Sequence, residues 1–339
     1  MTNEEYADLK KEMKLAIAAA KRKEDPFAAY EKFCNLFRSA DLDSSLYRDF
    51  GWLIYYLLRA KPHNMVLQRK RLLLQYLKLN LERPSLLHSL ILFEAVVMKK
   101  NSPSGFRLKD FVAMWGLENL RPEDWVKKKL ENGRLSNSLV ENLIGTYVKE
   151  VINDNTQASD EFISLLDKAM ATYRSNSHLP LYKARALVSA ARNDEALSQY
   201  KTMLRRWPKK FFLWSETEEL LPRSDLDLRI AFLCKTISYV RDESFLGDIR
   251  LRLADLQIRK GLYTNALYEL MKYERYYMSQ NWRLKDCHET LLNRAIHSAP
   301  YAPSIPTPYT RAIPTPYAPS IPTPYADYLP LADRFLSLP

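Results

Sequence analysis

Short amphipathic segments run through most of the chain, and they constrain its fold more than any other feature. Apolar residues recur at steps of three and four, for example over residues 162–173 and 251–258, which is the spacing of one face of an α-helix. Many segments end near a proline, which lacks the amide donor that a helix interior requires. These prolines are Pro62, Pro84, Pro122, Pro180, Pro208 and Pro222. The pattern predicts an all-α protein made of short helices.

Sixteen helices are predicted from this pattern and from its capping signals, Thr2 with Glu5 and Ser138 with Glu141. They cover residues 3–23, 26–39, 44–60, 64–82, 85–100, 107–115, 122–131, 136–153, 159–175, 179–191, 193–207, 209–221, 225–241, 244–260, 262–278 and 283–297. The short connections are typical of antiparallel neighbours. Only 7 of the 339 residues are glycine, which leaves little for hairpin turns or glycine-rich phosphate loops.

The N-terminus, the longest apolar run and the cysteines together favour a cytoplasmic protein without a membrane partner. Charges appear at once, at Glu4 and Glu5, unlike a secretory signal. The apolar run over residues 86–98 is shorter than the ~20 residues of a membrane span. Three widely spaced cysteines are typical of reduced core thiols; they are Cys34, Cys234 and Cys287.

A period of 35 residues appears in the second half of the chain. It separates Ala196, Ala231 and Ala266, each of which falls early in the second helix of a predicted pair. Ala184 and Ala254 stand twelve residues before the first and the last of these alanines. Small residues at such facing points allow two helices to approach closely, so the spacing predicts repeated helix pairs.

These repeats resemble the tetratricopeptide repeat, a helix–turn–helix of about 34 residues. The resemblance covers residues 159–297 and is clearest in the units 178–207 and 248–277, whereas the middle unit has Glu219 in place of its first small residue. It implies an α-solenoid with a concave groove that binds a peptide or helix of a protein partner. We therefore expect an irregular helical subdomain over 1–135 and a regular array over 136–298.

A second resemblance concerns the first half of the chain. The runs Y-R-D-F-G-W-L-I-Y-Y-L-L (47–58) and F-R-L-K-D-F (106–111) are similar to the helical-repeat region of large bacterial conflict-system proteins of the TOTE type. In that family such repeats accompany oligonucleotide-binding β-barrels. The resemblance implies a nucleic-acid-associated module of a bacterial defence system.

The last 41 residues, 299–339, have a different composition. An eight-residue unit close to P-Y-A-P-S-I-P-T recurs from Pro300 to Tyr325, and 11 of the 19 prolines lie in this tail. Such a composition predicts a disordered or polyproline II segment. Two interpretations stay open: a ligand for a proline-binding domain, or the product of a tandem repeat or frameshift in the gene.

Charge singles out one candidate binding site. The formal net charge of +11 lies entirely within residues 1–298 and favours an acidic partner, which is nucleic acid, an acidic protein face or anionic lipid. The segment R-R-W-P-K-K-F-F-L-W (205–214) interleaves cations with aromatic rings, which suits phosphates and stacked bases. Its rings also suit a helix–helix junction. The candidate contact residues are Arg205, Arg206, Lys209 and Lys210.

Motifs for catalysis are missing from the sequence. It has no glycine-rich nucleotide loop, no H-E-x-x-H and no C-x-x-C, and its histidines lack ligand spacing. Glu216, Glu218 and Glu219 indicate a solvated helix face, and Trp115 and Trp125 a packed junction, with an aromatic binding surface as the alternative.

We therefore expect a non-enzymatic interaction scaffold or adaptor. No catalytic residue, cofactor or metal is expected, and a protein partner is expected to bind along the groove. A nucleic-acid-associated module is the alternative.

Overall fold

The protein is all-α over the residues that its computed structural model describes, which are 3–22, 24, 27–39, 43–60, 65–102, 105–298 and 325–337. Within them lie sixteen α-helices, three 3₁₀ turns and one isolated β-bridge, between Lys129 and Leu135. The predicted fold class is confirmed. No helix in this described part is long and apolar enough to cross a membrane.

Two compact units divide the chain, residues 1–192 and residues 193–339. The first unit holds α1 (Asn3–Lys21), α2 (Phe27–Ser39), α3 (Ser44–Ala60), α4 (Val66–Leu77), α5 (Leu86–Asn101), α6 (Leu108–Trp115), α7 (Leu139–Asn153), α8 (Asp160–Thr172) and α9 (Leu179–Ser189). The second holds α10 (Asn193–Arg206), α11 (Phe211–Glu218), α12 (Leu226–Tyr239), α13 (Gly247–Arg259), α14 (Tyr263–Ser279), α15 (Asp286–Ser298) and α16 (Tyr325–Ser337). The domain boundaries expected at 135/136 and 298/299 stay predictions.

The helix predicted over 122–131 is wrong. Residues Pro122–Trp125 form one 3₁₀ turn, and the chain then extends to the bridge at Lys129. The buried Asp124 carboxylate closes this turn, because it accepts hydrogen bonds from the Arg121 amide (2.9 Å) and from Ser89 Oγ (2.7 Å). A side chain that competes for backbone donors in this way favours a turn over a continued helix.

The predicted capping box at the start of α7 is confirmed. Ser138 Oγ accepts from the Glu141 amide at 3.1 Å, and the Glu141 carboxylate accepts from the Ser138 amide at 3.1 Å. The corresponding box at Thr2 lies outside the described residues.

Trp115 packs in the core of the first unit. Its ring stacks on the imidazole of His88 with 4.3 Å between centroids, and its Nε1 donates to the His88 carbonyl at 3.1 Å. Both side chains are fully buried. Trp125 is partly buried and stacks on Tyr173 at 6.1 Å. The packed junction predicted for these tryptophans is confirmed for Trp115.

We expect His88 to make the first unit less stable in mild acid. Burial lowers the pKa of the imidazole to about 4, whereas an unfolded chain gives about 6.5. Between these values the unfolded chain binds more protons than the native one, so the free energy of unfolding falls as the pH is lowered through this window. The loss from pH 7 to pH 5 is about 2 kcal/mol. Urea unfolding at both pH values measures it, and the pH effect should shrink in His88→Gln. An equal pH effect in that variant would contradict the assignment.

The small residues of the predicted repeats lie in the core. Ala196, Ala231, Ala254 and Ala266 are all fully buried. Ala254 of α13 and Ala266 of α14 belong to one apolar cluster, and Gly261 supplies the turn between these helices with φ +80°. The α13–α14 pair therefore has the close approach that the twelve-residue spacing predicts.

The disordered tail was expected over residues 299–339, and this expectation is wrong for residues 325–337. Residues 299–324 lie outside the described residues, but residues 325–337 form α16. Prolines become rare after Tyr325, and Tyr328, Leu329, Ala332, Phe335 and Leu336 recur at helical spacing. This last segment can therefore form a helix, although it contains Pro330.

Candidate interaction surface

The last helix of the second unit covers an apolar surface that several other helices of that unit form. It is α16, which packs on α12 and also contacts α10, α13 and α14. We call the region that it covers the docking surface. This surface consists of an apolar floor and a rim of cations.

The floor comes mainly from α12 and α13. Tyr325, Tyr328 and Leu329 of α16 pack against a buried cluster whose members are Ile230, Leu233, Cys234, Leu246, Ile249, Leu253 and Leu256. One helical turn beyond Ala332, the rings of Phe335 and Phe232 form a T-shaped pair, with 5.3 Å between centroids and 82° between planes. An aromatic and aliphatic floor of this kind fits the apolar face of an amphipathic helix.

Two cations of the rim bind polar groups of α16. Lys235 Nζ lies 2.8 Å from Asp333 Oδ2, and the lysine side chain is nearly buried while the carboxylate is 59% exposed. Arg205 Nε donates to the Leu336 carbonyl at 2.9 Å. A cation at the C-terminal end of a helix is favourable, because the last carbonyl groups carry partial negative charge.

Two further lysines lie over aromatic rings of α16. Lys201 Nζ is 4.4 Å from the centroid of Phe335, and Lys260 Nζ is 5.3 Å from that of Tyr328. Both distances fall within the range of a cation–π contact. The docking surface therefore has an apolar floor and a rim of cations, one of which, Lys260, also pairs with Asp227 of α12.

A buried network holds the start of α16. The Tyr325 hydroxyl donates to the Glu269 carboxylate of α14. Arg250 Nη1 of α13 lies 2.6 Å from the same carboxylate, and Arg250 also pairs with Glu243 at 3.1 Å. Burial raises the pKa of the Tyr325 phenol, so its hydroxyl keeps the proton that it donates.

The structure separates the members of the predicted segment 205–214. Trp214 is fully buried, donates from Nε1 to the Pro208 carbonyl at 2.7 Å and packs on Phe232 at 5.2 Å. The burial of this ring supports the interpretation of the segment as a helix–helix junction. The Arg206 guanidinium lies 4.9 Å from the Trp207 ring centroid. Of the four candidate cations, Arg205 reaches the docking surface; Lys209 and Lys210 lie exposed between α10 and α11.

The solvated face expected at Glu216–Glu219 is wrong for two of its carboxylates. Glu218 is fully buried, where it pairs with Arg229 at 2.6 Å and also with Arg252. Glu216 accepts from the Tyr200 hydroxyl at 2.6 Å. These contacts tie α10, α11, α12 and α13 together, and they give the carboxylates a structural role.

Several residues of the docking surface escaped the sequence analysis, namely Lys201, Lys235 and Lys260. The signal for Lys235 was its position within the apolar run 230–237, where a lysine needs a partner for its charge. No group of three or more histidine, cysteine or carboxylate side chains within the described ranges is placed to hold a metal.

A family model described as a domain of unknown function, DUF7017, matches residues 177–311. That range contains the floor and the rim of the docking surface but not α16. No curated protein matches the chain, and no solved structure matches it.

Proposed function

We propose that this chain is a non-enzymatic interaction scaffold that binds an amphipathic helix of a partner protein on the docking surface. The observation that supports this function is the seating of α16, because it provides an example of such a helix on that surface. The tetratricopeptide-like spacing of residues 159–297 favours the same class of function. The surface lies on α12 and its neighbours, and the expected binding of a peptide or helix along a concave groove stays a prediction.

The floor and the rim of the docking surface have different roles in recognition. The apolar floor supplies most of the binding free energy, since burial of apolar surface dominates such interfaces. The rim selects the ligand: Lys235 requires a carboxylate, and Arg205 requires an acceptor at the C-terminal end of the helix. Lys201 and Lys260 favour aromatic rings below them.

The alternative function, nucleic-acid binding, receives less support from these contacts. Arg205 was one of the four candidate phosphate contacts, and in the structure it binds a helix carbonyl. Trp214 was a candidate stacking ring, and in the structure it is buried. The net charge of +11 is therefore interpreted as favouring an acidic protein ligand over nucleic acid.

A peptide of residues 325–337 tests the surface directly. The receptor is the full chain with α16 released, which we call the undocked variant. It carries the changes Tyr325→Ser, Leu329→Ser and Phe335→Ser. We expect saturable binding of one peptide per chain, with a dissociation constant on the order of 10–100 μM. Isothermal titration calorimetry or fluorescence anisotropy measures it.

Charge reversal supplies the matched control. Asp333→Lys in the peptide should weaken binding, because two lysines then face each other. Lys235→Glu in the undocked variant should restore the binding of that peptide and weaken that of the original one. Failure of the original peptide to bind the undocked variant would refute the proposed function.

An oligonucleotide serves as the competing ligand. We expect a 20-nucleotide single strand to give no saturable signal near physiological salt. Saturable binding that falls steeply with salt, and is lost when Arg205, Arg206, Lys209 and Lys210 are all changed to glutamine, would instead support the nucleic-acid alternative.

A further inference from the structure

The proposed function leaves a question about α16 itself, because the chain's own helix covers the surface that a partner would need. We propose that α16 is a built-in competitor, which keeps the docking surface closed until an acidic, aromatic helix of a partner displaces it. This inference rests on the proposed function and adds its regulation and the chemistry of the partner.

The first argument is that α16 is a weak helix. It has 13 residues and contains Pro330 at its sixth position. An isolated helix of this length is marginal in water, and a proline in the helix interior removes one backbone hydrogen bond and crowds the preceding turn. Contacts with the docking surface must therefore hold the segment helical.

The second argument is that few side chains of α16 are themselves buried, although the helix packs closely on α12. Ala332 is the one fully buried residue among those described in α16, whereas several of the α12 side chains that the helix covers are fully buried. Tyr328, Leu329 and Phe335 are partly exposed, and the Asp333 carboxylate is mostly exposed. A helix that contains a proline and buries few of its own side chains is expected to open more easily than the more deeply buried α12 beneath it.

The third argument is the covalent link. Twenty-six residues, 299–324, connect α15 to α16. Such a tether makes redocking intramolecular, at an effective concentration on the order of millimolar. A helix with a dissociation constant of tens of micromolar then keeps the surface mostly closed, yet a stronger free helix can replace it.

The contacts of the docking surface define the side chains that a stronger helix needs. Such a helix presents an aromatic ring toward Phe232 and Lys201, and a carboxylate toward Lys235. It ends near Arg205, and it lacks the internal proline that weakens α16. An acidic amphipathic helix with aromatic and leucine side chains on one face has these properties.

The test compares three versions of the full chain that differ only in α16. The probe is a fluorescent peptide of residues 325–337 with Pro330→Ala, which makes it a better helix than α16. The receptors are the undocked variant, the natural chain and a chain with Pro330→Ala. We expect the natural chain to bind the probe about ten- to a hundredfold more weakly than the undocked variant. The Pro330→Ala chain should bind at least tenfold more weakly again, because its own helix is strengthened.

A matched control separates competition from a general effect of serine substitutions. A chain with three serines on the exposed face of α16 should bind the probe as the natural chain does. Its changes are Ala326→Ser, Asp327→Ser and Arg334→Ser, all at exposed positions. Circular dichroism of every variant checks that the helical content of the body is retained.

The outcomes distinguish the inference from the function on which it rests. Equal affinity of the probe for the undocked variant, the natural chain and the Pro330→Ala chain would overturn the competitor role while the proposed function stands. No binding to the undocked variant would overturn both. A second measurement is hydrogen exchange: amides of residues 325–337 should exchange faster than those of α12 in the natural chain and slow down in Pro330→Ala. Equal protection of α12 and α16 in the natural chain would contradict the inference.

Discussion

Replacement of Arg250 by methionine is expected to lower the free energy of unfolding of the second unit by about 3–5 kcal/mol. Arg250 is almost fully buried, and its main partner, Glu269, is fully buried. Methionine fills similar space but leaves the carboxylate with the Tyr325 hydroxyl as its remaining partner in the described network. The effect is large because a buried charge loses its counter-ion and regains no water.

Two companion variants make the interpretation specific. Adding Glu269→Gln to Arg250→Met should recover a large part of the lost stability, because the buried charge is then gone while an acceptor for Tyr325 remains. Arg283→Met removes an exposed pair with Asp286 and should leave the unfolding midpoint nearly unchanged. Urea unfolding followed by circular dichroism measures all three. A loss in the double variant as large as in Arg250→Met would show that packing, and not charge pairing, is the cause.

The positions of the helices follow from the local sequence pattern, but the burial and pairing of the charged side chains do not. Spacing of apolar residues predicts α13 and α14 well, and the alanines at 254 and 266 predict how closely they pack. The Arg250–Glu269 pair spans 19 residues, and no local rule connects the two positions. Whether such a charge is buried depends on a third helix that covers it.

Glu218 illustrates the same limit. A run of carboxylates near the end of a helix is usually solvated, and that expectation fails because Arg229 of α12 and Arg252 of α13 converge on Glu218. Likewise, the helix expected over 122–131 depended on local propensity, and the side chain of Asp124 overrides that propensity through its bonds to Ser89 and Arg121.

The candidate site could be predicted only in part. Arg205 and the aromatic residues near it were selected for their chemistry, which is a local property. The docking surface was missed because α16 follows a proline-rich repeat, whose composition dominates the pattern of the whole tail. The apolar spacing after Tyr325 was the available signal for a helix. That spacing does not show where the helix packs, because the apolar surface that it covers comes from α12 and α13.

Trp214→Ala is expected to cost about 3–5 kcal/mol of unfolding free energy. The ring is fully buried, lies 5.2 Å from Phe232 and donates its indole N–H to Pro208. Its removal leaves a cavity beneath the floor of the docking surface and removes the hydrogen bond that holds the α10–α11 turn. Thermal and urea unfolding of the variant measure this loss.

Trp207→Ala is the matched control for Trp214→Ala, since it deletes the same side chain seven residues earlier, where the ring is only partly buried. We expect it to cost less than half as much, because solvent already covers part of that ring. The interpretation of residues 205–214 as a helix–helix junction requires a larger loss of stability in Trp214→Ala than in Trp207→Ala. Equal and small losses for the two tryptophans would mean that Trp214 is not an essential part of the core. If both variants then also lost oligonucleotide binding, the rings would be stacking platforms, and the nucleic-acid alternative would replace the helix-binding function.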